Sequence, residues 1–356
     1  MSLTSGADPT LGMGASIGRY FSVVSVVPSV LLVGWIYALV AAGSLNSGPT
    51  FEQLVENNPI AKPGYAAAAL ACAVGLAVVG HPIQFALVQF FEGYWPDSRL
   101  ARGIRTRMVM GHLRRVELAH SRLDAANRRR AALRPPDSGD FNEYLGPRSL
   151  TTHESAAREL VDTQAVLDFW QRTAGAYPSN SVAVLPTMLG NTLRKHELEA
   201  GAAFHLPILK WATHVSMVAD PAHTRYVNDQ RTQVDLAVRV SGFAYIAAAL
   251  TFVLLWAKGW PVLLALVPYL AGYVAYRGAV VAANGYGAAL RAWVDLNRFR
   301  IYDQLGLPVP ADSTAERNQN DSLDDLLLGQ DAYKSGPYRT ATDRKDVPPT
   351  EAGTEE

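Results

Sequence analysis

Hydrophobic positions in this chain are gathered into four long runs, separated by stretches in which polar and apolar residues alternate with helical period. The runs extend from about Tyr20 to Ala42, from Tyr65 to Phe91, from about Val240 to Trp256 and from Val262 to about Val281, and none carries a charged residue in its central part. A bilayer core about 30 Å thick needs roughly 20 predominantly apolar residues of helix to cross it. The pattern therefore predicts four transmembrane helices. Tyr20, Tyr65, Tyr94, Trp95, Trp256 and Trp260 stand at the ends of the runs, where amphipathic rings anchor at the membrane interface. A cleaved secretory signal fits the first run poorly, because the run is too long and only Arg19 precedes it as a positive residue.

Elsewhere the period is that of helices. Past Pro96, apolar residues at 100, 104, 108, 113, 116, 123 and 133 recur near helical spacing within an arginine-rich stretch, predicting an amphipathic helix. Pro135-Pro136 opens a loop, Thr151 to Glu154 has capping-box spacing for a helix to about Ala174, and two shorter helices are expected near 187–204 and 207–218. Asp220-Pro221 reads as an N-cap followed by proline at the first helical position, and no further proline occurs before Pro261. A helix from Pro221 to Trp256 would be about 54 Å long, leaving roughly 24 Å outside the core as a stalk. The fourth run continues helically to Leu305, about 68 Å from Pro261, with a kink expected at Pro268. No convincing strand alternation exists, so the fold class is all-α: a polytopic membrane protein of four transmembrane helices with a helical cytosolic insert, two of the spans extended as cytosolic stalk helices. The expected domains are an N-terminal cytosolic segment (1–16), spans 1 and 2 (17–96), the cytosolic insert (97–220), spans 3 and 4 with their extensions (221–308) and a disordered acidic tail (309–356).

Charge gives the orientation. The net charge of zero hides a division: 97–134 holds eleven arginines against three acidic residues, a balance of +8, whereas 310–356 holds eleven acidic residues against five basic ones, a balance of −6. Cytoplasmic loops carry the Lys/Arg excess. The basic insert and both termini are therefore expected in the cytosol, and the short links 43–64 and 257–261 outside. The acidic tail, poor in large apolar residues, has the composition of a disordered segment. With Cys72 the single cysteine, neither an intramolecular disulfide nor a cysteine-based metal site can form within one chain.

Several local strings carry a resemblance. They are Arg19-Tyr20-Phe21 with Pro28, Glu92-Gly93-Tyr94-Trp95-Pro96, Leu189-Gly190-Asn191-Thr192-Leu193-Arg194 with Glu197 and Gly201, Arg231-Thr232-Gln233-Val234-Asp235, Asp295-Leu296-Asn297-Arg298-Phe299 and Gly306-Leu307-Pro308. Over about residues 17–310 the chain resembles a family of uncharacterised four-span membrane proteins of high-GC Gram-positive bacteria. The resemblance implies the topology; with no established activity in that family, it transfers no site.

Polar groups within spans are the first candidates for function, since burying them in lipid costs several kcal/mol unless they meet a partner or water. Span 2 carries His81, Gln84 and Gln89, with Glu92 near its end, and span 4 carries Arg277, expected near the inner boundary to snorkel or to pair with Glu92. Rows of small residues, Gly278, Ala282, Gly285 and Ala289 beside Ala275, Ala279, Ala283 and Gly287, favour close helix packing or self-association. In the polar part, Asn191, Arg194 and Glu197 form one candidate cluster and Asp295 and Arg298 another, each readable instead as an ordinary helical pair. His196, His205, His214 and His223 recur every nine residues, a spacing that turns neighbours to opposite helix faces, so no metal site is expected. His196-Glu197 lacks the second histidine of a zinc-protease string, since Ala200 stands there.

No nucleophile, acid–base pair or phosphate loop can be assembled, and no cofactor is expected. The expected partners are membrane lipids, with anionic headgroups at the arginines of 97–134, further copies of the chain, and a cytosolic protein. Nucleic acid is not expected, because the basic helix lacks aromatic stacking residues. Three functions remain open: first a non-enzymatic oligomeric membrane protein, channel-like or signal-responsive and gated through its cytosolic domain; second a scaffold anchoring a cytosolic complex; and third an enzyme whose membrane active site is assembled from residues distant in sequence.

Overall fold

The computed structural model describes residues 21–46, 48–57, 62–133 and 154–327, and these residues form helices and connecting turns without a β-strand among them. Ten α-helices follow in order: α1 (Val27–Ala41), α2 (Phe51–Glu56), α3 (Pro63–Glu92), α4 (Arg99–Leu133), α5 (Glu154–Ala174), α6 (Met188–Glu199), α7 (Ile208–Val218), α8 (Pro221–Leu255), α9 (Leu266–Leu305) and α10 (Ser313–Leu327). Wider π-type turns at Phe21–Val26 lead into α1. Helices at Val24–Ala41, Pro63–Gly80, Pro221–Leu255 and Trp260–Leu305 are long and apolar enough to cross a membrane. On them Leu70, Val78, Phe85, Val253, Leu270 and Val274 face outward, an arrangement that suits lipid and is unfavourable in water.

The described residues form two compact units, those within 1–87 together with those within 196–356, and those within 88–195. The first is organised by one antiparallel hairpin, α8 and α9. Its tip is the turn around Lys258, whose ammonium donates to the carbonyls of Ser44 and Asn46 in the link after α1. Downward from the tip, Ser241 Oγ donates to Gly272 O at 2.9 Å, Arg231 stacks over the Tyr286 ring, Trp293 Nε1 donates to Thr224 Oγ1 at 3.2 Å, and Arg300 reaches Asp220 at 3.4 Å. The paired positions change in step, so the register holds along the whole hairpin. Helix α1 runs parallel to α8, held by Ser25 to Arg239 and by Trp35 Nε1 to Thr251 Oγ1 at 2.9 Å. Away from the apolar tip, α7 and α9 enclose a core of Trp211, Val215, Trp293, Val294, Ile301 and Tyr302.

In the second unit, α4 and α5 pack along a seam. Buried His112, Ala119 and Ala126 repeat every seven residues on α4, and on α5, which packs against it, Leu160, Thr163 and Leu167 are buried at three-and-four spacing. Alanine at two of the three positions lets the backbones approach.

Three expectations require correction. The fourth candidate span is not one helix from Pro261: a 3₁₀ stretch, Trp260–Ala265, precedes α9, and Pro268 lies in its first turn, where a missing N–H forfeits no intrahelical bond, so it marks a start instead of a kink. The helix expected over 187–204 stops at Glu199, because Gly201 adopts φ +76° and a Cβ there would meet Leu206 O at 2.0 Å. The acidic tail is not without structure throughout. Residues 313–327 form α10, capped by Asp312 Oδ1 accepting from the backbone of Thr314 and Ala315 at 2.8 Å each. Residues 328–356 and the N-terminal segment 1–16 lie outside the described residues.

Candidate functional site

The most polar buried place in the apolar bundle is built around Arg239. Sixteen residues before the end of α8, it stands about 24 Å below the hairpin tip. Its side chain is 1% exposed. Guanidinium stays charged in proteins, and a buried charge is stable only when hydrogen-bonded and paired. Nη1 donates to Ser25 Oγ at 2.8 Å, and the group lies 5.4 Å from the Phe243 ring centroid. One turn earlier on the same face, Asp235 is also buried.

Helix α3 closes the site with a glycine and an amide. A Cβ on Gly80 would come within 2.4 Å of Arg239 Nη2, so the absence of a side chain there is what admits the guanidinium. Gln84 Nε2 donates to Asp235 O at 3.1 Å, while its buried Oε1 accepts no hydrogen bond from the described residues. Ser29, fully buried, turns its hydroxyl back to Ser25 O at 2.8 Å, leaving Ser25 Oγ to accept from the arginine. The arrangement holds a fixed positive charge at a junction of α1, α3 and α8.

Of the candidates named from the sequence, Gln84 belongs to this site. The side chain of His81 is outside the described residues, although its backbone is part of α3. Gln89 and Glu92 belong to the second unit, where Gly190 packs so closely on the end of α3 that a Cβ would meet Glu92 O at 2.0 Å. Arg277 is exposed on α9. Asn191 is fully buried, and its amide both accepts from Leu185 N at 2.7 Å and donates to Leu185 O at 2.9 Å, which makes it a brace for the preceding turn. Arg194 and Glu197 are half-buried on α6. Asp295 is exposed and offers its backbone carbonyl to Arg298. Arg298 itself lies between the rings of Phe204 and Phe299 and donates to Glu316 Oε1 of α10 at 2.8 Å.

Arg239 and Asp235 were missed as site residues. The apolar run begins at Val240, and an arginine at its edge reads as an interfacial side chain that snorkels to water. The available signal was Asp235 and Arg239 one turn apart, with Ser25 and Gly80 in other spans.

The four regularly spaced histidines go to separate places. His196 Nε2 meets Asn284 Oδ1 at 3.1 Å, His205 meets Asp321 at 3.0 Å, the His214 ring lies tilted against Trp211 at 5.3 Å, and His223 approaches Asn297 at 3.4 Å. A fifth, His112, is locked in the second unit. Its Nε2 donates to Pro186 O at 3.2 Å and its Nδ1 accepts from Tyr177 Oη at 3.0 Å, which defines the neutral tautomer. Burial holds its pKa below the ordinary 6.5 against the raising effect of the Pro186 carbonyl, and nearby Arg115 lowers it further. At the head of α8, Asp220 accepts from Ala222 N at 2.8 Å, and this bond foremost, with Arg300 beside it, holds its carboxyl below the usual range.

Comparison with protein-family models, with curated proteins and with solved structures finds no match in any of the three.

Proposed function

We propose that this chain is a non-enzymatic, oligomeric protein of the bacterial cytoplasmic membrane, with four spans and both termini in the cytosol, in which a signal received by the cytosolic helices is passed to the spans. Kinship with the four-span family it resembles is part of this reading. The observation that carries it is the α8–α9 hairpin. One unbroken register joins the hydrophobic core around Trp211 and Tyr302 to the level of Arg239, so a shift in the first must be accommodated at the second. Packed helix pairs and buried charges have discrete arrangements and do not deform continuously, which suits a two-state response. Self-association has a surface available: Gly278 and Gly285 are exposed on α9, while Ala279, Ala283 and Gly287 are used within the chain.

Native mass spectrometry of the complex extracted in nanodiscs, followed by ion flux across liposomes, tests the reading. A discrete ring-sized oligomer with flux altered by Arg239→Leu supports it; a monomer with background flux in every condition overturns it. Labelling of Lys258→Cys in a Cys72→Ala background by an impermeant reagent on intact cells tests the orientation.

A scaffold function is the second reading. It is favoured by Val161 and Phe169, which are 55% and 58% exposed on the same face of α5 and offer an apolar contact to a cytosolic protein. Recovery after crosslinking of a partner that is lost on Phe169→Ser would favour it over the first.

A further inference from the structure

Helix α4 changes character at His112. From His112 to Leu133 the helix buries His112, Ala119 and Ala126 within the second unit, but from Arg99 to Gly111 no residue is buried. This first stretch, about 20 Å of helix, is nevertheless amphipathic. Leu100, Ile104 and Met108 recur every fourth residue on one face and are 81%, 54% and 38% exposed. Arg99, Arg102 and Arg105 fan across the opposite side and Arg107 flanks the apolar face, with no acidic residue within the stretch. Asp97, just before it, touches Arg102 at 3.1 Å and Arg105 at 3.5 Å, both as exposed pairs that contribute little in water.

The chain itself says what meets this face. Helix α3, apolar enough to cross a membrane, ends at Glu92, and a link of six residues, 93–98, joins it to α4. Six extended residues reach at most about 20 Å. The link contains Tyr94, exposed, and Trp95, whose Nε1 donates to Phe90 O at 2.8 Å and whose ring lies 6.1 Å from that of Phe90. Aromatic rings of this kind settle at headgroup level.

We infer that residues 99–111 are an interfacial anchor that inserts Leu100, Ile104 and Met108 among the acyl chains at the Glu92 end of α3 and binds anionic lipid headgroups through Arg99, Arg102, Arg105 and Arg107. An amphipathic helix with arginine flanks gains both from burying its apolar face and from the negative surface potential of anionic lipid. Arginine suits the position because its stem can lie along the apolar boundary while the planar group meets phosphate bidentately. His112 then marks where the helix leaves the surface and becomes the seam with α5. The inference rests on the membrane placement in the proposed function and not on its signalling part: it concerns how the chain sits at the bilayer, whichever signal the spans answer.

The test uses the full chain with Cys72→Ala, spin-labelled at Ile104→Cys or at Thr106→Cys, in nanodiscs of phosphatidylcholine with or without phosphatidylglycerol. With anionic lipid, the label at 104 should be several-fold more accessible to oxygen than to a water-soluble nickel chelate, and the label at 106 should show the reverse. The contrast should shrink without phosphatidylglycerol, and also when Arg99→Gln and Arg107→Gln are combined. These substitutions lie on an exposed surface, and unchanged helical circular dichroism verifies that the fold persists. Water-like accessibility at both positions in both lipids overturns the inference. So does a shielded 104 that ignores both lipid charge and the arginine substitutions, since a protein surface would then be the occupant.

Discussion

Arg239 and Ser25, 214 residues apart in sequence, are joined by a 2.8 Å hydrogen bond between two fully buried side chains. The bond fixes the foot of α1 against α8 at the level where the apolar hairpin gives way to its polar extension. Ser25→Ala deprives a buried guanidinium of an acceptor, a loss of about 1–3 kcal/mol. Gly80→Val fills the space that Nη2 occupies, so it should act on the same group. The two effects should therefore fall well short of additive in a double-mutant cycle. Thermal unfolding in detergent measures all three variants; full additivity would mean that the two residues do not share Arg239.

The second unit should be sensitive to mild acid. His112 is held neutral between Tyr177 and Pro186, so its folded pKa lies below the 6.5 of the unfolded chain. The unfolded state then binds more protons in the window between the two values, and stability rises with pH there. The contribution is full above pH 6.5 and is lost as pH falls through the folded pKa. Protection factors of amides along the α4–α5 seam, corrected for the intrinsic exchange rate at each pH, should fall between pH 7 and pH 5 in the native chain and change less in His112→Gln. An equal acid response in both would place the sensitivity elsewhere.

Helix α10 should behave as a docked element and not as a tail. Tyr302 Oη donates to Asn320 Oδ1 at 2.8 Å, Asn320 Nδ2 donates to Phe204 O at 2.8 Å, and Glu316 receives Arg298. Tyr302→Phe leaves a buried amide oxygen without its donor, which costs about 1–3 kcal/mol. Limited proteolysis should then cut within 309–327 several-fold faster. An unchanged cleavage rate would show that the other contacts suffice to hold the helix.

What the sequence disclosed and what it withheld divide along physical lines. The candidate spans and the start of α8 are local properties: apolar length sets the former, and Asp220-Pro221 caps the latter. Helix α10 was hidden because its inward face consists of Glu316, Asn320 and Leu323, at helical spacing but mostly polar. Hydrophobic periodicity cannot register a face satisfied by hydrogen bonds to Arg298, Tyr302 and Phe204. The Arg239 site was hidden for a related reason. Gln84 stood out as a polar residue within a span, but Gly80 acquires meaning only from an arginine 159 positions away in the chain.

The last prediction contrasts two glycines of α9 that look alike in sequence. A Cβ on Gly287 would lie 2.0 Å from His196 Cγ, against a ring already fixed by Asn284 Oδ1 at 3.1 Å, whereas a Cβ on Gly278 meets nothing within 4 Å. Gly278→Ala removes backbone entropy from the unfolded state without a clash, and should stabilise by up to about 1 kcal/mol. Gly287→Ala carries the same helical gain but must displace a buried imidazole, and overpacking of this kind costs about 1–3 kcal/mol. Its net effect should be destabilising, and it should loosen the neighbouring link between Glu199 and Arg291, now 2.9 Å. Midpoints of thermal unfolding for the two variants should therefore move in opposite directions. A stabilised Gly287→Ala would mean that the end of α6 rests on α9 too loosely for the hairpin to sense it.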